Sequence, residues 1–286
     1  KSEFENQLRY FEKNYEIISI EDCIDALDSE LILPENSLLL TFDDGYVDHF
    51  DNVLPLLKKK GLKGAFFPPA KAILHSEVLD VNKIHFILAC NPNVAEIIND
   101  IFNYLNYYRG QFALRSNDYY FSKLSTPNRF DSKEIIFIKR LLQFELDLEI
   151  RSIIVDKLFR KYVTDDEKDF SNSLYMNLDQ IKYLVECGMY IGSHGYNHVW
   201  LDRVSRKEQE YEIEKSIEFL KIVNAPINNW VMCYPYGGYN KSLIDVITKK
   251  KCKLALTTNH GLAQLNQNNA FTLERFDTND FPKTLK

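Results

Sequence analysis

A short apolar run, followed at once by two carboxylates, a glycine and a helical pattern, constrains this chain most. Residues 36–40, Asn-Ser-Leu-Leu-Leu, read as a buried strand that continues to Phe42. Thr41-Phe42-Asp43-Asp44-Gly45-Tyr46 closes it, and positions 47–60 carry a helical pattern ended by Gly61. Gly64-Ala65-Phe66-Phe67 is a second apolar run, stopped by Pro68-Pro69. Strand, helix and strand in direct succession predict a parallel sheet. They also put Asp43 and Asp44 at a strand end, the edge where α/β folds bind ligands. Successive residues of an extended segment point to opposite sides. One aspartate can therefore ligate a metal while the other moves a proton.

The same alternation surrounds this unit. Phe4, Leu8 and Phe11 have helical spacing, Ile17-Ile18 reads as a strand, and Ser19 is placed to cap a helix reaching Leu27. Between 82 and 169 the pattern turns helical, with helices expected at 82–90, 94–108, 132–146 and 149–163. The polar and aromatic stretch 109–129 suggests no element. After it, Asn177 caps a helix ending at Cys187-Gly188, and 189–193 is a strand. An amphipathic helix with many surface Glu and Lys covers 205–223. Strands at 230–233, 253–258 and 271–276 follow, with a tight turn at 234–238 and a helix at 241–250. The expectation is an α/β chain of about seven strands, read as one domain over 1–286 with a helical insertion at about 80–175.

Composition narrows the function. At 286 residues, 45% hydrophobic and 27% charged, the chain can bury a large core and is not disordered. A net charge of -6 argues against a nucleic-acid partner held through phosphates. No apolar stretch reaches the ~20 residues of a membrane span. The sequence begins at Lys1 rather than Met, so the lack of a visible secretory leader carries little weight. The five cysteines are odd in number and form no C-x-x-C, which favours reduced thiols and a cytoplasmic setting.

The second informative stretch is Ser193-His194-Gly195-Tyr196-Asn197-His198, directly after a strand. If the chain coils through one turn there, both imidazoles face the same way. Two imidazoles, one carboxylate and an open position make a catalytic rather than a structural metal set.

Thr41-Phe42-Asp43-Asp44-Gly45 and Ser193-His194-Gly195-Tyr196-Asn197-His198 resemble the first two motifs of the polysaccharide deacetylases, the NodB-homology domain of carbohydrate esterase family four. Tyr234-Pro235-Tyr236-Gly237 resembles the third, so the resemblance spans about 1–80 and 175–280. It implies a distorted (β/α)7-8 barrel. It further implies that Asp44, His194 and His198 bind a divalent metal, often zinc, and that Asp43 is the general base. The Tyr236 backbone N–H would be the oxyanion donor, with Tyr236 and Gly237 lining the substrate site. The implied activity is metal-dependent removal of an N-acetyl group from an amino sugar of a surface polysaccharide or its precursor. The same machinery suits a deformylase or another small-amide hydrolase. A binding module that keeps a degenerate site is the rival of a different class.

Two departures from the family pattern matter. Where the third motif often has an arginine that orients the base, this chain has Cys233; Arg275 is a candidate replacement. The late Leu-x-x-His-type motif that supplies a general acid is not found after Arg275. His260, in a segment expected to follow a strand, is one candidate acid, Asp43 returning its proton is another, and a water is the third. Tyr196, Trp200 and Tyr239 flank the motifs and could stack on sugar rings or belong to the core. The substrate partner is thus an N-acylated amino sugar or oligosaccharide.

Overall fold

The computed structural model describes residues 1–29, 32–127 and 131–283. Its strands are short, and every pairing between them is parallel. β1 (Glu16–Ile18) pairs with β2 (Ser37–Leu39). β3 (Thr41–Asp43), β4 (Ala65–Phe67) and β5 (Tyr190–Ile191) form a second sheet, and β6 (Trp230–Cys233), β7 (Cys252–His260) and β8 (Leu273–Arg275) a third. A parallel bridge between Ser193 and Met232 carries the second sheet on to the third. The class is therefore α/β, as expected, in three open sheets.

Helices separate the strands. α1 (Ser2–Asn14), α2 (Ile20–Ser29), α3 (Leu54–Lys60) and α4 (Ala70–His75) serve the first half. α5 (Asp80–Cys90), α6 (Val94–Tyr108), α7 (Asn117–Leu124), α8 (Lys133–Arg140), α9 (Leu148–Tyr162) and α10 (Glu167–Leu174) run consecutively. α11 (Leu178–Glu186), α12 (Arg206–Ile222) and α13 (Lys241–Lys249) alternate with the later strands. Residues 1–76 and 172–286 make one compact unit, which holds all the described strands; residues 77–171 make a second.

Local chemistry explains most of these boundaries. The Ser19 hydroxyl accepts from the Asp22 N–H, while the Asp22 carboxylate accepts from the Ser19 N–H, which starts α2. Asn177 with Gln180 and Ser205 with Glu208 make capping boxes at α11 and α12. β4 is wholly buried, which is why Ala-Phe-Phe alternates no polar residue. Ile18, Phe67, Tyr190, Val231, Leu254 and Leu273, from six strands, meet in one core cluster with the buried face of α2. In the second unit, Ile84 and Ile87 of α5, Ile101 of α6 and Ile154 of α9 are buried. There the Lys83 ammonium is buried between Asp156 and Glu167, at 2.6 and 2.8 Å.

Several expectations are corrected in detail. The helix expected over 47–60 is present, but its α-helical start at Val47 and Asp48 widens into a π-helical turn, His49–Val53, before it is α-helical again from Leu54. Pro55 has no N–H to give the Asp51 carbonyl, so the turn before it widens and Leu54 N–H bonds His49 instead. The run 36–42 is two strands interrupted at Leu40, and Asp43 is the last residue of β3. β7 extends two residues past Thr258, so His260 ends the strand rather than following it. Inside 109–129, Ser116 caps the short α7, whose aromatic and amide residues are weak helix formers. Asn128 and Arg129 of that stretch lie outside the described residues. α4 and α10 were not expected, being six and eight residues long with little periodicity to read.

Gly192 continues β5 between Phe67 and Val231. A Cβ there would overlap the Phe67 ring and lie 2.7 Å from the Val231 carbonyl oxygen. Gly192→Ala is expected to cost about 1–3 kcal/mol of stability through overpacking. Thermal denaturation should show it as a drop of about 2–4 °C per kcal/mol; an unchanged Tm would contradict this packing.

Candidate active site

The site is built at the C-terminal ends of β3, β6 and β8 and in the loops after β5 and β6. Asp44 directly follows β3 in a left-handed conformation, φ 70°, and Gly45 shares it at φ 69°. Gly45 is needed there twice over, because a Cβ would also sit 2.8 Å from Pro68 Cβ. This double turn lifts the Asp44 carboxylate off the strand, while Asp43 stays in register with Phe67.

Asp44, His194 and His198 converge. Asp44 Oδ1 lies 3.5 Å from His194 Nε2 and 3.3 Å from His198 Nε2. The two Nε2 atoms are 3.2 Å apart. His194 Nδ1–H donates to the Cys233 carbonyl at 2.7 Å, which leaves the Nε2 lone pair facing the centre. Three electron-rich atoms drawn this close repel one another unless a shared proton or a cation lies among them. A tetrahedral cation with ligands at ~2.0–2.1 Å would hold such atoms about 3.3–3.4 Å apart, so the donor set fits a divalent metal ion. Burial alone would raise the Asp44 carboxyl pKa. The His194 and His198 side chains beside it outweigh burial and hold it well below the usual carboxylate range.

Asp43 faces a different set of partners. Arg275 of β8 forks onto it, Nη1 to Oδ1 at 3.1 Å and Nη2 to Oδ2 at 2.8 Å. The guanidinium is itself held by Nε–H to the Thr257 carbonyl and Nη1–H to the Thr41 hydroxyl. The Cys233 thiol donates to Asp43 Oδ2 at 3.3 Å. Burial pushes the Asp43 carboxyl up, but Arg275 and His194 together hold it below its ordinary value. It is therefore ionised at neutral pH.

Tyr236 joins this group from the turn Pro235–Gly237, in left-handed backbone at φ 57°. Gly237 N–H to Tyr234 and Gly238 N–H to Pro235 lock the turn. The Tyr236 ring stacks on Trp200 at 4.7 Å and meets the edge of His198 at 4.8 Å. Gly237, predicted with it, lies in the same turn. His260 ends β7 in register with Arg275, but its side chain is 64% exposed, its Nε2 is 3.3 Å from Asp280, and its ring abuts Phe276. Of the aromatics, Tyr239 stacks on the buried Tyr234, and Tyr196 shares a hydrogen bond with His75.

Sequence reasoning missed Glu212. It was read as one of many surface acids on α12, yet it is only 3% exposed. Its Oε2 accepts the N–H groups of Tyr196 and Asn197, both at 2.9 Å, and its Oε1 accepts Asn197 Nδ2–H at 2.5 Å. Burial pushes this carboxyl up from its ordinary value, and those donors pull against the shift. Its spacing held a signal, since Glu212 sits on the buried stripe with Gln209, Ser216 and Phe219.

The polysaccharide deacetylase family profile matches residues 32–85 and 163–255, together just over half of the chain. A Bacillus subtilis (strain 168) protein, YxkH, whose own description as a polysaccharide deacetylase is provisional, is 34% identical over 80 residues. That alignment covers 28% of this chain and 29% of YxkH. Among solved structures, the Streptococcus pyogenes deacetylase PplD, in complex with acetate, superposes with a TM-score of 0.56 at 18% identity. The match covers 95% of this chain and 78% of PplD. IcaB from Ammonifex degensii gives 0.55 at 15% identity over 98% of this chain and 85% of its own. At such identities the structural matches establish a shared fold.

The Arg275 fork makes a signed prediction. Asp43 has a folded-state pKa below its unfolded value, so the stability it contributes is present above the unfolded pKa. It is lost as pH falls through the folded one. In Arg275→Met, Asp43 should titrate at higher pH, read from its carboxyl carbon shift, and acid unfolding should begin earlier. At neutral pH the loss should reach up to about 3 kcal/mol, the low end for a buried pair because both side chains keep some exposure. An unmoved Asp43 titration would mean the guanidinium does not control it.

Proposed function

Because the chain belongs to the polysaccharide deacetylase family, we propose that it is a metal-dependent hydrolase that removes the N-acetyl group from an amino sugar of a surface polysaccharide or its precursor. One observation carries this reading: a carboxylate kept ionised by the Arg275 fork stands next to a convergent Asp44, His194 and His198 donor set. Zinc is the cation we assign, because two imidazoles, one carboxylate and an open position are its catalytic donor set. When bound, such a cation polarises the amide carbonyl and lowers the pKa of a water.

The chain's own residues do the rest. Asp44, His194 and His198 hold the cation, with the His194 tautomer set by the Cys233 carbonyl. Asp43 takes the proton of the attacking water, and Arg275 keeps its carboxylate aimed and charged until then. The Tyr236 N–H stabilises the oxyanion as the carbonyl carbon becomes tetrahedral. Tyr236 and Gly237 border the acyl group. We assign the proton returned to the leaving nitrogen to Asp43, and the pairing of the exposed His260 with Asp280 and Phe276 supports this choice. A binding module with a degenerate site would account for Cys233 in place of an arginine and for the missing late histidine; the first of these is its support from the third motif. That support goes once Arg275 supplies the guanidinium from β8.

The architecture fits the same reading. We take the strands to close into a distorted barrel; the core cluster shared by β1, β4, β5, β6, β7 and β8 supports this. We take residues 77–171 as an insertion into one deacetylase domain. The family match breaks off at 85 and resumes at 163, which supports that view.

Acetate release from N-acetylglucosamine oligomers tests the activity. It should vanish after chelation and return with Zn2+. Asp43→Asn should keep the metal and lose about 10²–10⁴ in rate; full activity, or loss of the metal, would refute the division of labour between the aspartates. His260→Ala should lose only a few-fold, equally for substrates whose leaving amines differ in basicity. A larger loss that grows with amine basicity would return His260 to the mechanism as the acid.

A further inference from the structure

The two histidines of the cluster sit at the ends of one tight loop, and that loop does not hold itself. Gly195 at φ 74° and His198 at φ 54° both lie in the left-handed region. For a histidine this conformation is strained and persists only when its surroundings enforce it. No i to i+4 bond of an ordinary helical turn joins His194 to His198 among the described backbone bonds. Besides Gly195 N–H to the adjoining Ser193 hydroxyl at 3.3 Å, the restraints on the loop come from other elements. Its carbonyls accept from α4: Ala70 N–H bonds Gly195 at 3.1 Å, and Lys71 N–H bonds Tyr196 at 3.0 Å.

Its amides meet one side chain. The consecutive N–H groups of Tyr196 and Asn197 converge on Glu212 Oε2, and the Asn197 side chain takes Oε1. Two successive backbone N–H groups aimed at one point form a nest for an anion. Here an internal carboxylate fills it. Glu212 is fixed in turn, because it is buried on α12 and its own carbonyl accepts from the Ser216 hydroxyl at 2.9 Å.

We propose that Glu212 is a positioning residue which sets the separation and aim of the His194 and His198 Nε2 atoms, and so the affinity of this cluster for a divalent cation. The inference rests on the metal-site reading above. The hydrogen bonds of the Glu212 carboxylate go to Tyr196 and Asn197, not to Asp44, His194 or His198. It acts through the loop, so its removal should let His198 relax from φ 54° and open the 3.2 Å spacing of the two nitrogens.

The test compares wild type, Glu212→Gln, Asn197→Ala and the surface control Glu214→Gln, with Zn2+ affinity measured by chelator competition on metal-free protein. Gln has the shape of Glu but must turn an N–H toward one of its present donors. Glu212→Gln should weaken Zn2+ binding at least tenfold and change the visible spectrum of the Co2+-substituted protein. The metal-free Tm should fall by only a few degrees. Asn197→Ala, which removes one of the three bonds, should weaken binding less, and Glu214→Gln should not change it. A purely structural role would move the Tm and leave the affinity and the Co2+ spectrum of the folded protein intact, and that result would overturn the proposal. If Glu212→Gln does not fold, Asn197→Ala decides, and wild-type affinity there overturns it. A wild type without a His194-dependent Zn2+ site would sink the metal reading itself, and this inference with it. A normal site in both wild type and Glu212→Gln sinks the inference alone.

Discussion

The fork between Arg275 and Asp43 joins the last described strand to the third, and the chemistry of the site depends on it. A carboxylate this close to Asp44 would be pushed toward its neutral form by burial and by its neighbour's charge. The guanidinium reverses that. It also orients the carboxylate, since two parallel N–H···O bonds fix both the position and the plane of the group. Arg275 is committed by its other bonds to the Thr257 carbonyl and the Thr41 hydroxyl, so the fork is anchored to the sheets. A thiol at Cys233 is small enough to leave the guanidinium its approach from β8, and it adds a weak donor to the same carboxylate.

Three of the eight non-glycine residues with positive φ among the described residues lie in the motif stretches. They are Asp44, His198 and Tyr236, one in each of the three. Each such residue costs of order 1–3 kcal/mol. The surroundings that enforce these conformations can be named. Pro68 closes over the Gly45 turn, Glu212 and α4 grip the loop between the histidines, and the Trp200 ring stacks on Tyr236. Gly45, Pro68 and Pro235 therefore matter for the angle at which neighbouring functional groups leave the chain.

The alternation of apolar runs and helical patterns was enough to read the α/β class, because parallel strands buried on both faces carry little else. Asp43, Asp44, His194 and His198 could be found the same way, since each pair lies within a few residues and its spacing is local. The capped helix starts at Ser19 and Asn177 were legible for the same reason. What the sequence could not determine were relations across long separations. Arg275 and Asp43 are 232 positions apart; the family pattern made Arg275 a candidate partner once Cys233 stood in the usual place, but only the folded chain pairs the two. Glu212 looked like any acid on a charged helix until packing turned it toward the loop of residues 195–198. The end of β7 and the exposed partnership of His260 with Asp280 were likewise decided by register between strands, which follows from how the sheet assembles and not from local propensity. Local chemistry thus chose the groups and the turns that carry them, while tertiary contact alone decided which groups face one another, because charge pairing and burial depend on distances that only the folded chain sets.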